Sequence, residues 1–269
     1  MKNGTQKKQT ATTRRSAILE RLSAVGEVFV IELASDFEVT PMTIRRDLEA
    51  LEGERALTRT HGGAIFSKKS VAEFAFLERN RTSIEEKQAI ARATAALVEP
   101  GMRIVIDTGT TTLEVARALG GIERLQVLTS SLAVASALHT HSNVSVVLLG
   151  GDVGKDSPDL NGSLTEDNLR KFRVPLAILR ADVLDERGLY TTDLGIARVS
   201  EAMIDVAEDT VLVADSRKFS RTSFVKFADW SQIGHLVTDR GVTRNHRVWL
   251  KDCVKDVRYA KGGRDAHRH

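Results

Sequence analysis

The 269-residue chain predicts two domains of different class: an N-terminal all-α winged helix-turn-helix over residues 13–66, and a larger α/β domain with a parallel sheet over residues 83–262. A polar linker over residues 67–82 would join them. Three observations carry this expectation. Three short helical periodicities and a glycine-turn hairpin fill the first domain. Beyond Ser83, short apolar runs alternate with helix-period stretches, the pattern of a parallel sheet covered on both faces. Composition is that of a globular protein, 42% hydrophobic and 28% charged, without an apolar run long enough to span a bilayer.

The first helix is predicted from about Thr13 to Ser23, with Ile18, Leu19 and Leu22 on one side, and Gly26 ends the connection that follows. Val30, Leu33, Ala34 and Phe37 then recur at i, i+3, i+4 and i+7, a single apolar stripe. After the tight junction Phe37-Glu38-Val39, Thr40 is a good N-cap and Pro41 a good first helical residue. In the third helix, Thr40 to Leu51, the residues Ile44, Leu48 and Leu51 share one face. Met42, Arg46 and Glu49 point outward, with Thr43 and Arg45 on the flanks of that face. Hydroxyls and paired arginines near a helix N-terminus suit the major groove, where arginine bonds guanine edges or phosphates. Leu57–Thr60 reads as a strand, His61-Gly62-Gly63 as a turn and Ala64-Ile65-Phe66 as the return strand. Arg59 and His61 stand where such a wing meets a DNA backbone. His61 has no clustered Cys or His around it and is not a metal-ligand candidate.

Charge is unevenly spread. The first fifteen residues hold five Lys/Arg and no acid, while residues 240–269 hold 9 basic and 3 acidic residues. A basic arm beside a small helical domain adds phosphate-backbone attraction without specificity. Met1 to Arg15 lacks the apolar stretch of a secretory signal, and Cys253 is the lone cysteine. The expected location is therefore the cytoplasm, with no membrane partner, no metal and no cofactor.

In the larger domain the predicted strands are Arg103–Ile106, Gln126–Leu128, Val144–Leu149, Leu176–Leu179, Thr210–Ala214 and His235–Val237. Helices fall near Ser83–Val98, Leu113–Leu119, Leu132–Leu138 and Ile196–Val206. Ligands of parallel sheets bind at the carboxyl ends of strands. There the sequence places Asp107-Thr108-Gly109-Thr110-Thr111-Thr112, then Thr129-Ser130-Ser131, then Gly150-Gly151-Asp152, and finally Asp215-Ser216-Arg217-Lys218. Glycine and hydroxyls at a helix N-terminus offer N–H groups and a favourable dipole to an anion, and Lys218 supplies a cation. Asp107, Gly109, Thr110, Thr111, Thr112, Ser130, Gly150, Gly151, Arg180 and Lys218 are the candidate ligand residues. Together they suit a small, hydroxylated, negatively charged molecule such as a sugar phosphate.

The run Val39 to Ile65, VTPMTIRRDLEALEGERALTRTHGGAI, resembles the DNA-binding signature of the DeoR family of bacterial regulators, with Thr40 where the family usually has Ser. The resemblance continues in Asp107-x-Gly109-Thr110-Thr111, in Gly150-Gly151 and in Asp215-Ser216-x-Lys218-Phe219. It implies a DNA-binding transcription regulator, repressing carbohydrate-metabolism genes until a phosphorylated sugar binds. It further implies Thr40, Met42, Thr43, Arg45, Arg46, Arg59 and His61 at double-stranded operator DNA, a homo-oligomer, and an effector domain similar to ribose-5-phosphate isomerase. Departures cluster around the sugar end: Ser130 stands where Asn is common, Arg180 and Val183 where glycines are usual, and Ile196 where an acid is usual. Arg180 could add a second cation for the phosphate or occupy the ligand's place. Two alternatives stay open at this point: an isomerase-like enzyme using Asp107, Asp182, Asp185 or Lys218, for which spacing shows no acid–base pair, and a regulator whose α/β domain serves assembly only.

Overall fold

The computed structural model describes residues 10–54, 56–65, 79–80, 82–154, 159–220 and 223–261. The basic arm up to residue 9, the last strand residue expected at Phe66, and most of the expected linker lie outside them. The chain divides into two compact units, Met1–Leu77 and Glu78–His269. No described helix is long and apolar enough to cross a membrane.

In the first unit α1 (Ala11–Val25) starts at the Thr10 cap, whose hydroxyl accepts from the Thr13 N–H, and stops at Gly26 with φ of 81°. Strand β1 (Glu27–Phe29) leads directly into α2 (Val30–Asp36), and α3 (Pro41–Gly53) follows. Glu38, in the turn between those two helices, has φ of 53°, a left-handed conformation that costs a non-glycine residue roughly 1–2 kcal/mol. Ile18, Leu22, Leu33, Ile44, Leu48, Leu51 and Leu57 form the buried core, each fully buried side chain contributing about 1.5–3 kcal/mol.

The wing has three strands rather than the expected two. β3 (Gly63–Ile65) lies between β1 and β2 (Thr58–Arg59), antiparallel to both. Glu27–Phe29 is too short to show a period of its own and is defined by its partner. Gly63 belongs to the strand and not to the turn. A Cβ there would sit 1.8 Å from the Val28 carbonyl oxygen, so only glycine allows the two strands to pair.

In the second unit α4 (Ile84–Ala95) precedes a seven-stranded sheet, all of whose pairs are parallel. Its strands are β4 (Arg103–Ile106), β5 (Leu125–Thr129), β6 (Val144–Leu148), β9 (Val174–Arg180), β12 (Ala207–Val213), β14 (His235–Asp239) and β15 (Asp256–Ala260). The spatial order is β15-β14-β12-β9-β4-β5-β6. The chain therefore winds outward from β4 in one direction and returns beside β4 to wind outward in the other. Helices α5 (Thr110–Leu119), α6 (Leu132–Leu138), α7 (Ser163–Leu169), α8 (Leu194–Val206) and α9 (Arg244–Cys253) complete the layers. Two apolar clusters lie on the two faces, one around Leu179, Met203, Leu212 and Leu236, the other around Ile90, Ile104, Ile106, Val127 and Ile178.

Several elements escaped the sequence expectation. α7, α9 and the edge strand β15 are short or strongly polar. The hairpin β7 (Asp152–Val153) with β8 (Leu160–Asn161), and the antiparallel sheet of β10 (Val183–Asp185), β11 (Gly188–Thr191) and β13 (Val225–Ala228), are built from two- to four-residue strands. Periods cannot be read from runs that short.

Candidate functional site

Helix α3 is arranged as its periodicity suggested. Thr40 caps α3 through its hydroxyl, which accepts from the Thr43 N–H at 3.2 Å, and the two hydroxyls lie 3.0 Å apart. Ile44, Leu48 and Leu51 are buried while Met42, Arg45 and Arg46 are exposed. Neither arginine makes an ion pair or hydrogen bond with a described residue, so both cations are available to a polyanion. Arg59 is held by Glu52, which accepts from its N–H at 3.0 Å and lies 3.8 Å from its guanidinium. That exposed pair contributes little and yields readily to a phosphate. His61 is exposed in the wing turn.

Asp47 was missed. It falls on the buried face of α3 and is only 2% exposed. Its carboxylate accepts from Arg14 Nε at 2.6 Å and from Arg15 Nε at 3.1 Å. This fork ties α3 to α1 and orients the helix that carries Arg45 and Arg46. The signal in the sequence was an acid in phase with Ile44, Leu48 and Leu51.

In the second unit the site follows from the winding of the sheet. Connections leave β4 and β9 in opposite directions, and a crevice opens between their carboxyl ends. After β4, Gly109 has φ of 119° and serves as the N-cap of α5. Thr112 Oγ1 donates to the Gly109 carbonyl at 3.1 Å and turns away from the crevice. Thr110 and Thr111 open the helix, where the first N–H groups have no intrahelical acceptor and the dipole is positive.

Opposite them lies a cavity of about 150 Å³ lined by Arg79, Thr82, Lys87, Thr110, Thr111, Arg180, Ala181, Val213, Asp215, Arg217 and Lys218. Five cations thus face one lining carboxylate. Arg217 is engaged with Asp215 through Nε at 2.8 Å and Nη2 at 3.1 Å. Burial pushes the Asp215 carboxyl up, but Arg217 and then Lys218 outweigh it and hold it below its usual range. Lys87 is 2% exposed and donates to the Arg79 carbonyl. Burial lowers its pKa to about 8, opposed by the charge of Asp215. Asp182 lies 2.7 Å from Arg180 Nη1 and 3.8 Å from Lys218 Nζ. Burial would raise its pKa, but Arg180 and then Lys218 bring it down to about 2. Asp107 goes the other way: burial raises it to about 6, against the pull of Arg180 and the Thr108 N–H.

The structure therefore brings Thr110, Thr111, Arg180 and Lys218 to one cavity, with Gly109 and Asp107 directly behind Arg180. It does not bring Ser130, Thr112, Gly150 or Gly151 to the lining. Ser130 is wholly buried at the end of β5. Gly150 accepts the Thr165 hydroxyl at 2.7 Å, and a Cβ on Gly151 would stand 2.0 Å from Thr165 Oγ1. The double glycine makes room for α7. Lys87, Arg79, Thr82 and Arg217 were missed as lining residues. Lys87 could have been found, because a lysine occupies the apolar phase shared with Ile90, Ala91 and Thr94.

Residues 14–70 match the family described as DeoR-like helix-turn-helix domain, and residues 82–240 match that described as DeoR C terminal sensor domain. The chain is 32% identical over 250 residues to the glycerol-3-phosphate regulon repressor of Escherichia coli (strain K12), covering 90% of this chain and 99% of that protein. It is 31% identical over 236 residues to the lactose phosphotransferase system repressor of Lactococcus lactis subsp. lactis, covering 87% and 92% respectively. Ribose 5-phosphate isomerase A from Methanocaldococcus jannaschii shares 19% identity with a TM-score of 0.37, over 49% of this chain and 53% of its own. That likeness is too slight to bear on function.

Proposed function

The chain belongs to the DeoR family of transcriptional repressors, and from that premise we propose that it represses a carbohydrate-metabolism operon and releases it when a phosphorylated sugar fills the cavity. Membership of this family makes the chain a DNA-binding regulator and not an enzyme. The observation that supports the effector is the meeting of Thr110 and Thr111, at the start of α5, with Lys87 and Lys218 across one cavity. Helix N–H groups and lysines make charge-assisted bonds to phosphate oxygens, the strongest contacts such a ligand can form. The carbohydrate assignment draws on the two relatives, whose names refer to the glycerol-3-phosphate regulon and to the lactose phosphotransferase system.

Each side of the proposal has its own residues. Arg45 and Arg46 read or grip DNA in the major groove, with Thr40, Met42 and Thr43 at the leading turn and Arg59 and His61 on the wing. A symmetric homo-oligomer presents two such helices to two half-sites, and ligand shifts it toward a conformer that no longer matches their spacing. The test is a gel-shift titration at fixed salt on a duplex selected by the full chain from a random pool. Arg45→Ala and Arg46→Ala should each weaken specific binding by about 1–3 kcal/mol. Lys218→Ala should bind DNA normally and resist release by phosphorylated sugars. A parent complex indifferent to the whole panel of sugar phosphates would overturn the effector role.

A further inference from the structure

We propose that the anchored Arg180 side chain fills part of the cavity beside the start of α5, so that the ligand is a short, three-carbon phosphate monoester and not a hexose phosphate. This rests on the reading of the cavity as a phosphate site. β4 and β9 are neighbours, with Ile106 opposite Ile178, so Arg180, the last residue of β9, lies two residues beyond that rung, level with Thr108. Its side chain then runs across the start of α5. A Cβ added at Gly109 would stand 3.3 Å from Arg180 Cγ and 3.5 Å from Cδ, the contact of one filled surface on another.

The side chain is anchored there. Its Nη1 lies 2.7 Å from Asp182 Oδ1, and its charge is further held by Asp107 and Asp159. The Arg180 N–H donates to Asp107 Oδ2 at 3.3 Å, fixing the backbone that carries it. The guanidinium's Nε is sealed from solvent and makes no hydrogen bond with a described residue. Three carboxylates around one guanidinium leave no deficit of negative charge, so Arg180 itself does not call for an anionic group from a ligand.

What remains beyond Arg180 is small. At about 150 Å³ the cavity falls below the roughly 300–1,000 Å³ typical of sites that enclose a drug-sized ligand. Thr110, Thr111, Lys87 and Lys218, the groups a phosphate needs, share that small space with Arg79, Thr82, Asp215 and Arg217.

Calorimetric titration of the full chain tests this, using glycerol 3-phosphate, dihydroxyacetone phosphate, glucose 6-phosphate, fructose 6-phosphate and inorganic phosphate. The parent should bind the three-carbon esters at least about tenfold more tightly than the hexose esters. Arg180→Gly should raise hexose-phosphate affinity by about tenfold or more and leave three-carbon affinity within about threefold. Arg180→Met, which keeps the bulk and removes the charge, should still exclude the hexoses. Should Arg180→Gly leave its acids too crowded to fold, Arg180→Ala with Asp182→Asn opens the same space at lower charge and should show the same gain. Equal affinity of the parent for both sizes, or hexose binding by Arg180→Met equal to that of Arg180→Gly, would overturn the size gate alone. If inorganic phosphate and every ester fail to bind the parent, the phosphate site falls and the gate with it.

Discussion

Replacing Asp47 by alanine should abolish DNA binding by loosening the first unit, although Asp47 itself faces away from any DNA. The Asp47 side chain is 3% exposed and that of Arg14 9%, so the mutation leaves a guanidinium buried without its carboxylate. Breaking a buried pair by removing one partner costs about 3–5 kcal/mol. Arg15, about a third exposed at 34%, stays in reach of solvent, and its lost contact adds less than about 1 kcal/mol. A unit of this size has only about 3–8 kcal/mol of stability in total, so the variant should sit near its unfolding midpoint. Hydrogen exchange of the full chain resolves this by region. Amides of Ile44 to Leu51 should lose protection by on the order of a hundred- to a thousandfold, while those of the seven-stranded sheet should not change. The control is Arg14→Met with Asp47→Leu, an apolar pair of similar bulk, which should restore protection to within about 1–2 kcal/mol of the parent. Protection in Asp47→Ala within threefold of the parent would refute the reasoning and return Asp47 to the surface.

Three further outcomes follow from the geometry. Gly63→Ala should destabilise the first unit and unpair β1 from β3, because its Cβ would meet the Val28 carbonyl oxygen at 1.8 Å; amide exchange at Val28 and Ala64 unchanged from the parent would contradict this. Asp107 holds its proton more tightly folded than unfolded, so its contribution favours folding below about 3.8 and is lost as pH rises through about 6. Relative to the parent, Asp107→Asn should therefore gain roughly 1–1.5 kcal/mol between pH 5 and pH 8 in denaturant titrations, and a gain independent of pH would rule out a raised carboxyl. Lys87, lowered from 10.5 to about 8 by burial, costs stability whenever it is charged, a cost present below about 8 and relieved as pH rises toward 10.5. Lys87→Met should be more stable than the parent to denaturant at pH 7, by up to about 3 kcal/mol, and bind phosphate esters more weakly; a variant that is both less stable and unchanged in binding would remove Lys87 from the site.

Local chemistry by itself determined most of the architecture and four of the residues that line the cavity. The Thr40 cap, the proline after it and the spacing of Ile44, Leu48 and Leu51 specify α3 without reference to anything distant, since a helix is satisfied within its own hydrogen bonds. Arg103–Ile106 and Leu132–Leu138 are likewise apolar runs long enough to declare themselves. Thr110 and Thr111 at the start of α5 were legible as cavity residues because hydroxyls after a glycine at a helix N-terminus are a local feature. Tertiary structure decided the rest. β1 exists only because β3 offers it a partner, and Gly63 is glycine because of a carbonyl thirty-five residues upstream. Asp47 carried no assignment until α1 brought Arg14 and Arg15 to it. Gly150 and Gly151 were read as a ligand loop, yet their backbone makes room for Thr165. Arg180 was left between two roles by its sequence context. The role proposed for it rests on Asp182, Asp107 and Asp159 converging on it, and on Gly109 lying beneath its stem. Charge pairing and steric contact act through space, and until the sheet closes β9 against β4 nothing in the order of residues says which groups will share that space.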